Sequence, residues 1–304
     1  MNPLVSVIIP NYNHAKFLRE RIDSVLCQDF QDFEVIFLDD CSTDNSRDII
    51  EGYRNHPKVS GIVLNKVNSG GPFTQWAKGI ELARGEYVWI AESDDVAASQ
   101  LLGALVAEME KNYNAVIAFA HSRLIDQDSR LLPFGWHDDD THDIYVTDGY
   151  KFVMEKMLTS NYIYNASMAI FRKSAYQLVE HSYEQYSYCG DWAFWIELSL
   201  KGDVVEVCRL LNAYRQHRGQ ATVKSVKNGC KWLEMGSVLK HAADLLDLDE
   251  RQRKCLRGRY TRRFVKEDIP NREEVLSRHP QLFAGTALDI CYYEVGKHFG
   301  FLKS

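Results

Sequence analysis

No cysteine pair of the C-x-x-C kind occurs in this chain, and its seven cysteines (Cys27, Cys41, Cys189, Cys208, Cys230, Cys255, Cys291) are scattered and odd in number. This leaves out a structural zinc ribbon and a disulfide framework, and it suits a reducing compartment. No run approaches the ~20 apolar residues that span a bilayer, so any membrane contact is expected to be peripheral. Met1-Asn2-Pro3 leads straight into a strand-like run, with no basic region and long apolar stretch of the signal-peptide kind, and a cytoplasmic location is expected. Low-complexity tracts and internal repeats are absent too. Basic charge is not in excess: the net charge is −6 over 304 residues. A general nucleic-acid binder needs a basic surface that releases counterions from phosphates, so no nucleic-acid partner is expected.

What is present is a chain able to bury a core, with 45% hydrophobic residues. Short β-branched and apolar runs (Val5 to Pro10, Phe33 to Leu38, Val59 to Leu64, Tyr87 to Ala91, Ala115 to Phe119) alternate with segments of helical period. Phe17, Leu18, Ile22, Val25 and Leu26 have the spacing of one buried helical stripe. The alternation predicts an α/β fold, a mostly parallel sheet flanked by helices. Ligands of such sheets bind beyond the carboxyl ends of the strands. Three runs deliver polar groups there: Pro10-Asn11-Tyr12-Asn13, Asp39-Asp40 and Glu92-Ser93-Asp94-Asp95.

Beyond residue 125 the pattern loosens into an aromatic, acidic loop from Phe134 to Tyr145, followed by a helical segment from Tyr150 to Leu158. Strand-like Ser167 to Phe171 and Leu210 to Tyr214 flank a helix opening at Asp191, and the chain reads as helical from Val223 onward. Consecutive residues of His137-Asp138-Asp139-Asp140-Thr141-His142-Asp143 cannot all converge on one ion. That segment is read as a solvated loop, with Phe134, Trp136 and Tyr145 available to stack on a ligand.

Several segments together carry a resemblance: Ser6 to Asn13, Asp39-Asp40-Cys41-Ser42-Thr43-Asp44-Asn45-Ser46, Gly85-Glu86-Tyr87 running into Ser93-Asp94-Asp95, Gly190-Asp191-Trp192, and Tyr214-Arg215-Gln216-His217. In order and spacing they resemble the family 2 glycosyltransferases, inverting enzymes with the Rossmann-like GT-A fold. The resemblance implies a glycosyltransferase domain over residues 1–220, with a nucleotide-sugar-binding half (1–120) and an acceptor half (121–220). A helical extension over 221–304 follows. It further implies transfer of a sugar from a nucleotide-sugar donor to a saccharide or lipid-linked saccharide acceptor in surface polysaccharide assembly. Pro10 and Tyr12 would form the base pocket with Asp40, and Asn13 and Lys78 would also contact the nucleotide sugar, Lys78 at its phosphates. Asp94 would face the ribose or sugar, Asp95 would ligate Mn²⁺ or Mg²⁺, and Asp191 would be the catalytic base. His217 would meet metal or phosphate, beside Arg215 and Arg218.

Physical chemistry reaches parts of this independently. Two adjacent carboxylates at the end of a buried strand repel each other, and a hard cation bridging to a diphosphate relieves that repulsion. A carboxylate selects an imide N–H and an aromatic ring offers stacking area, which favours a UDP-sugar. Other readings stand beside these: Asp94-Asp95 or Asp191 as helix-capping acids, and Lys78 as a solvated lysine rather than a phosphate contact. The basic run Arg251 to Lys266 could face an anionic membrane or pair with the chain's own acids. A sugar nucleotidyltransferase is the competing enzyme, although the first loop, Asn11 to Lys16, lacks the glycines that hold a triphosphate. A non-catalytic carbohydrate-binding protein is the competitor from outside catalysis.

Overall fold

The computed structural model describes residues 2–136, 140–217 and 229–299. Its first part runs β1 (Val5–Asn11), α1 (Ala15–Leu26), β2 (Phe33–Asp39), α2 (Ser46–Gly52), β3 (Val59–Leu64), α3 (Pro72–Leu82), β4 (Tyr87–Ile90), β5 (Val96–Ala97) and α4 (Leu101–Lys111). There follow β6 (Ala115–Ile125), β7 (Ile144–Asp148), α5 (Gly149–Phe152), β8 (Ala169–Arg172), α6 (Lys173–Tyr176), α7 (Gly190–Ser199) and β9 (Asp203–Arg215). The chain closes with α8 (Cys230–Leu245), α9 (Glu250–Lys266), α10 (Arg272–Arg278), α11 (Pro280–Phe283) and α12 (Ala287–Phe299). The expected helix at 150–158 forms as α5 continued by a π-helical turn, Val153–Met157. Residues 137–139 of the His/Asp run, Arg218 and residues 219–228 lie outside the described residues.

The strands form one sheet in the order β3-β2-β1-β4-β8-β6-β9-β5, with β7 also paired to β9. β1 to β4 are mutually parallel, as their alternation with helices predicts, whereas β5, β7 and β8 run antiparallel to their neighbours. All seven residues of β1 are buried because both faces are covered: Val5, Val7 and Ile9 pack on one side and Ile8 on the other. The α1 stripe of Phe17, Leu18, Ile22 and Val25 is buried as its spacing predicts. Gly85 is required by close approach, since a Cβ there would lie 2.6 Å from the Ser6 backbone nitrogen.

One core runs from Ile8 and Trp76 through Phe194 and Trp195 to Trp232, Leu256 and Phe283. The helices after residue 229 therefore share the interior of the sheet domain. The basic run falls on α9, and several of its basic residues pair with the chain's own acids, as the pairing alternative expects. Arg253 meets Asp244 (3.2 Å), Arg257 meets Asp289 (2.9 Å), Arg263 meets Glu267 (3.1 Å), and Arg262 meets Glu294. Among the described residues no helix is long and apolar enough to cross a membrane.

Candidate active site

A cleft of ≈ 1170 Å³ opens over the carboxyl ends of β1, β2 and β4. Pro10, Tyr12, Asn13 and Asp40 line one part of it, Asp94 and His217 another, and Asp191 a third. Asn13 adopts the left-handed conformation (φ 57°), which lets its side-chain oxygen accept the Thr43 backbone N–H at 2.7 Å. The loops after β1 and β2 are thereby tied together. Asp39 is spent on structure, accepting from Asn11 (2.9 Å) and Arg47 (2.7 Å).

Asp40 reaches the cleft, but its carboxylate is already occupied. It accepts from Asn65 (2.7 Å), the Ser69 backbone (2.9 Å) and hydroxyl (2.8 Å), and Gln75 (3.1 Å). A carboxylate has about four acceptor positions, so Asp40 holds the 65–75 loop in place as a wall of the cleft. Lys78, expected at the donor phosphate, does not line the cleft; its ammonium donates to the Asn65 side chain at 2.8 Å. It braces the residue that braces Asp40.

The Asp94-Asp95 pair divides differently from the expected assignment. Asp95 has no exposed surface and does not line the cleft. It accepts from Asn165 (2.8 Å), Ser167 (2.7 Å) and the Arg215 backbone (3.0 Å), with Arg21 at 4.0 Å. Burial, with Asp94 alongside, pushes its carboxyl up to about 6. Asp94 instead faces the cleft, its carboxylate 2.9 Å from His217 Nε2. Burial opposes its charge, yet the His217 hydrogen bond and the nearby His14 ring hold it below the usual carboxylate range. Ligand atoms of His14, Asp94 and His217 all lie within 4.8 Å of one another. Two imidazoles and a carboxylate are a donor set that can hold a divalent transition-metal ion. Arg215 is not available to a diphosphate: its buried guanidinium donates to Asp94 O (2.6 Å), Asp126 O (3.0 Å) and Glu20 (2.7 Å).

Asp191 lies in the first turn of α7, two residues past the N-cap Cys189, so it is not the N-cap residue, although its carboxylate takes up one of the helix's free first-turn N–H groups. Its carboxylate accepts from Asn161 (2.8 Å) and the Trp192 backbone (2.7 Å). Burial outweighs those bonds and pushes the carboxyl up to about 7.

The first comparison with known proteins decides the family: the model described as Glycosyl transferase family 2 matches residues 6–179. The chain belongs to that family. Its mixed sheet with flanking helices is the GT-A fold of that family. Glycosyltransferase GlyG of Streptococcus pneumoniae is 36% identical over 118 residues, 38% of this chain and 39% of GlyG. Poly(ribitol-phosphate) beta-N-acetylglucosaminyltransferase TarS of Staphylococcus aureus is 38% identical over 116 residues, 37% of this chain and 20% of TarS. The alignments thus span well under half the length of these relatives. The structure of TarS residues 1–349 in complex with UDP superposes with TM-score 0.66 at 20% identity, covering 99% of this chain and 92% of that one. A mannosyltransferase from Pyrobaculum calidifontis, in complex with GDP-Man and Mn²⁺, superposes with TM-score 0.57 at 14% identity over 99% of this chain and 86% of the other. At such identities the likeness concerns the fold alone.

Other residues reach the cleft to which the sequence motifs gave no individual role. His14 enters from the start of α1, its Nδ1 2.8 Å from Ser93 Oγ. Glu92 accepts from the Trp76 indole at 2.8 Å, and burial, with Asp94 next, pushes it up to about 8. Lys231, Met235 and Arg263 reach the cleft from α8 and α9, beyond the stretch that carries the family motifs. Of the expected aromatic residues, Trp136 lines the cleft, packed on Tyr164 (4.5 Å) and Tyr214 (5.9 Å), while Phe134 and Tyr145 do not.

Proposed function

We propose that the chain transfers a sugar, with inversion, from a UDP-sugar to a hydroxyl of a saccharide or lipid-linked saccharide acceptor in surface polysaccharide assembly. The observation that carries this reading is the placement of Asp191 in the same cleft as the His14, Asp94 and His217 cluster. Base and sugar-phosphate are taken along the first two loops, where the half-exposed Tyr12 ring offers a stacking face. His14, Asp94 and His217 would hold Mn²⁺ or Mg²⁺, which supplies positive charge to the departing diphosphate.

On the opposite side of the donor sugar, Asp191 removes the acceptor's proton. The acceptor oxygen bonds to the anomeric carbon as the bond to the diphosphate breaks, and UDP departs with the electron pair. A base poised near neutral pH is matched to that task. Trp136, Tyr164 and Tyr214 form an aromatic wall for the acceptor. The TarS complexes with UDP and UDP-GlcNAc and the mannosyltransferase complex with Mn²⁺ support the donor class and the metal. All seven cysteines are free, in keeping with a cytoplasmic setting.

The test is UDP release from a panel of UDP-sugars with oligosaccharide acceptors, with and without Mn²⁺. Metal-dependent release with one donor is expected. Failure of every UDP-sugar to bind or turn over, alongside binding of another nucleotide sugar, would sink the UDP assignment.

A further inference from the structure

Glu234, on α8, reaches across the cleft's rim to the loop that leads into α7. Its carboxylate accepts the backbone N–H groups of Ser187 (2.9 Å), Tyr188 (2.8 Å) and Cys189 (2.8 Å), and the Cys230 thiol at 2.9 Å. Three consecutive donors at a helix start have no partners within the helix, and a carboxylate there also meets the positive end of its dipole. Cys189 is the N-cap of α7, so these bonds end one residue before Gly190-Asp191. The other side of the loop is closed by packing: a Cβ on Gly190 would lie 2.5 Å from the Phe73 ring and 2.6 Å from Tyr183 O. The backbone that carries Asp191 is therefore held between α8 and α3.

We propose that Glu234 is a positioning residue for catalysis, an anionic clamp that fixes the Asp191 carboxylate toward the acceptor. This rests on the reading of Asp191 as the base. The groups around Asp191 include Asn161 and the Trp192 N–H on its carboxylate and the Cys189 thiol two residues before it. Lys231 and Arg263 line the same cleft and both face Glu267, at 3.7 and 3.1 Å. Glu234 adds a negative charge to that set, and after burial it helps to raise the Asp191 carboxyl. Glu234 thus acts in two ways, through the three N–H groups and through its charge.

The experiment measures kcat, donor KM, the pH profile and melting temperature for the full chain and its E234A, E234Q, E234D and D191N variants. E234A leaves three N–H groups without an acceptor and displaces the loop, so kcat is expected to fall about 10²-fold while donor KM changes little. E234Q keeps an oxygen acceptor and should recover much of kcat. Removing the charge favours ionised Asp191, so the acid limb of the profile should move to lower pH. A parental kcat in E234A, or a kcat in E234Q no better than in E234A, overturns the clamp. If E234A proves too unstable to measure, E234D decides: its carboxylate, one methylene short, cannot reach all three N–H groups, and a parental kcat there overturns the clamp. D191N separates the two readings: an active D191N removes the base assignment, whereas an inactive D191N beside a parental E234A removes the clamp only.

Discussion

The chain turns at Ser93-Asp94, where the Asp95 N–H bonds Glu92 O at 3.3 Å, and the turn directs Asp94 toward the cleft and His217 while Asp95 points inward to Asn165, Ser167 and the Arg215 backbone. Their losses should differ in kind. Asp94→Ala is expected to abolish the Mn²⁺-dependent gain in UDP affinity seen by calorimetry, with little change in melting temperature. Asp95→Ala strands the buried Arg21 without its closest acid and leaves three donors unanswered, which should cost about 3–5 kcal/mol in denaturant unfolding. Asp191→Asn should lower turnover by about 10²–10⁴-fold. The parent's rate should rise with pH through about 7, the value to which burial lifts this carboxyl. The sign for stability is the opposite: a carboxyl raised in the folded state contributes stability at low pH that is lost as pH climbs through its folded value. Asp191→Asn should therefore melt above the parent at pH 8 and level with it near pH 4, a comparison open to scanning fluorimetry. The acids of this site were legible in the sequence as residues at strand ends. Which one faces solvent was not, since partners such as His14, Asn165 and Arg215 reach them from remote segments. Lys78 misled for the same reason: its partner Asn65 is a loop residue with no periodic signal.

At the scale of elements, α9 shows how composition can suggest one role and geometry another. Half of Arg251 to Lys266 is basic, yet α8, α12 and α9's own C-terminal flank supply Asp244, Asp289, Glu294 and Glu267 as partners. Charges so paired have little field left for lipid. Vesicle sedimentation should find no more protein with anionic than with neutral lipid, and a clear anionic preference would restore a membrane role. The strands were read well where both faces are buried, because a continuous apolar run such as β1 has little alternative. β7 was hidden inside a loop assignment: Ile144, Tyr145 and Val146 are exposed and the strand exists through its pairing with β9. The π-helical turn after α5 likewise leaves no mark in a pattern of apolar residues.

For the whole molecule, the decisive feature is the single core that binds the late helices to the sheet. Trp232, Leu256, Tyr260 and Phe283 are buried in the same cluster as Trp76 and Phe194. Stopping the chain after residue 217 would bare that surface, and such a fragment is expected to be insoluble or to lack a cooperative thermal transition in circular dichroism. The motifs all precede residue 218, so a boundary near 220 was the natural inference from sequence. Burial disregards where motifs end. The core also sets an order of events during synthesis. The loops after β1 and β2 leave the ribosome well before Glu234, but a domain folds as a unit. A nascent polypeptide without α8 lacks both the acceptor of the 187–189 N–H groups and the apolar partners of Trp76 and Phe194, so the cleft is completed only once the last helices have been made.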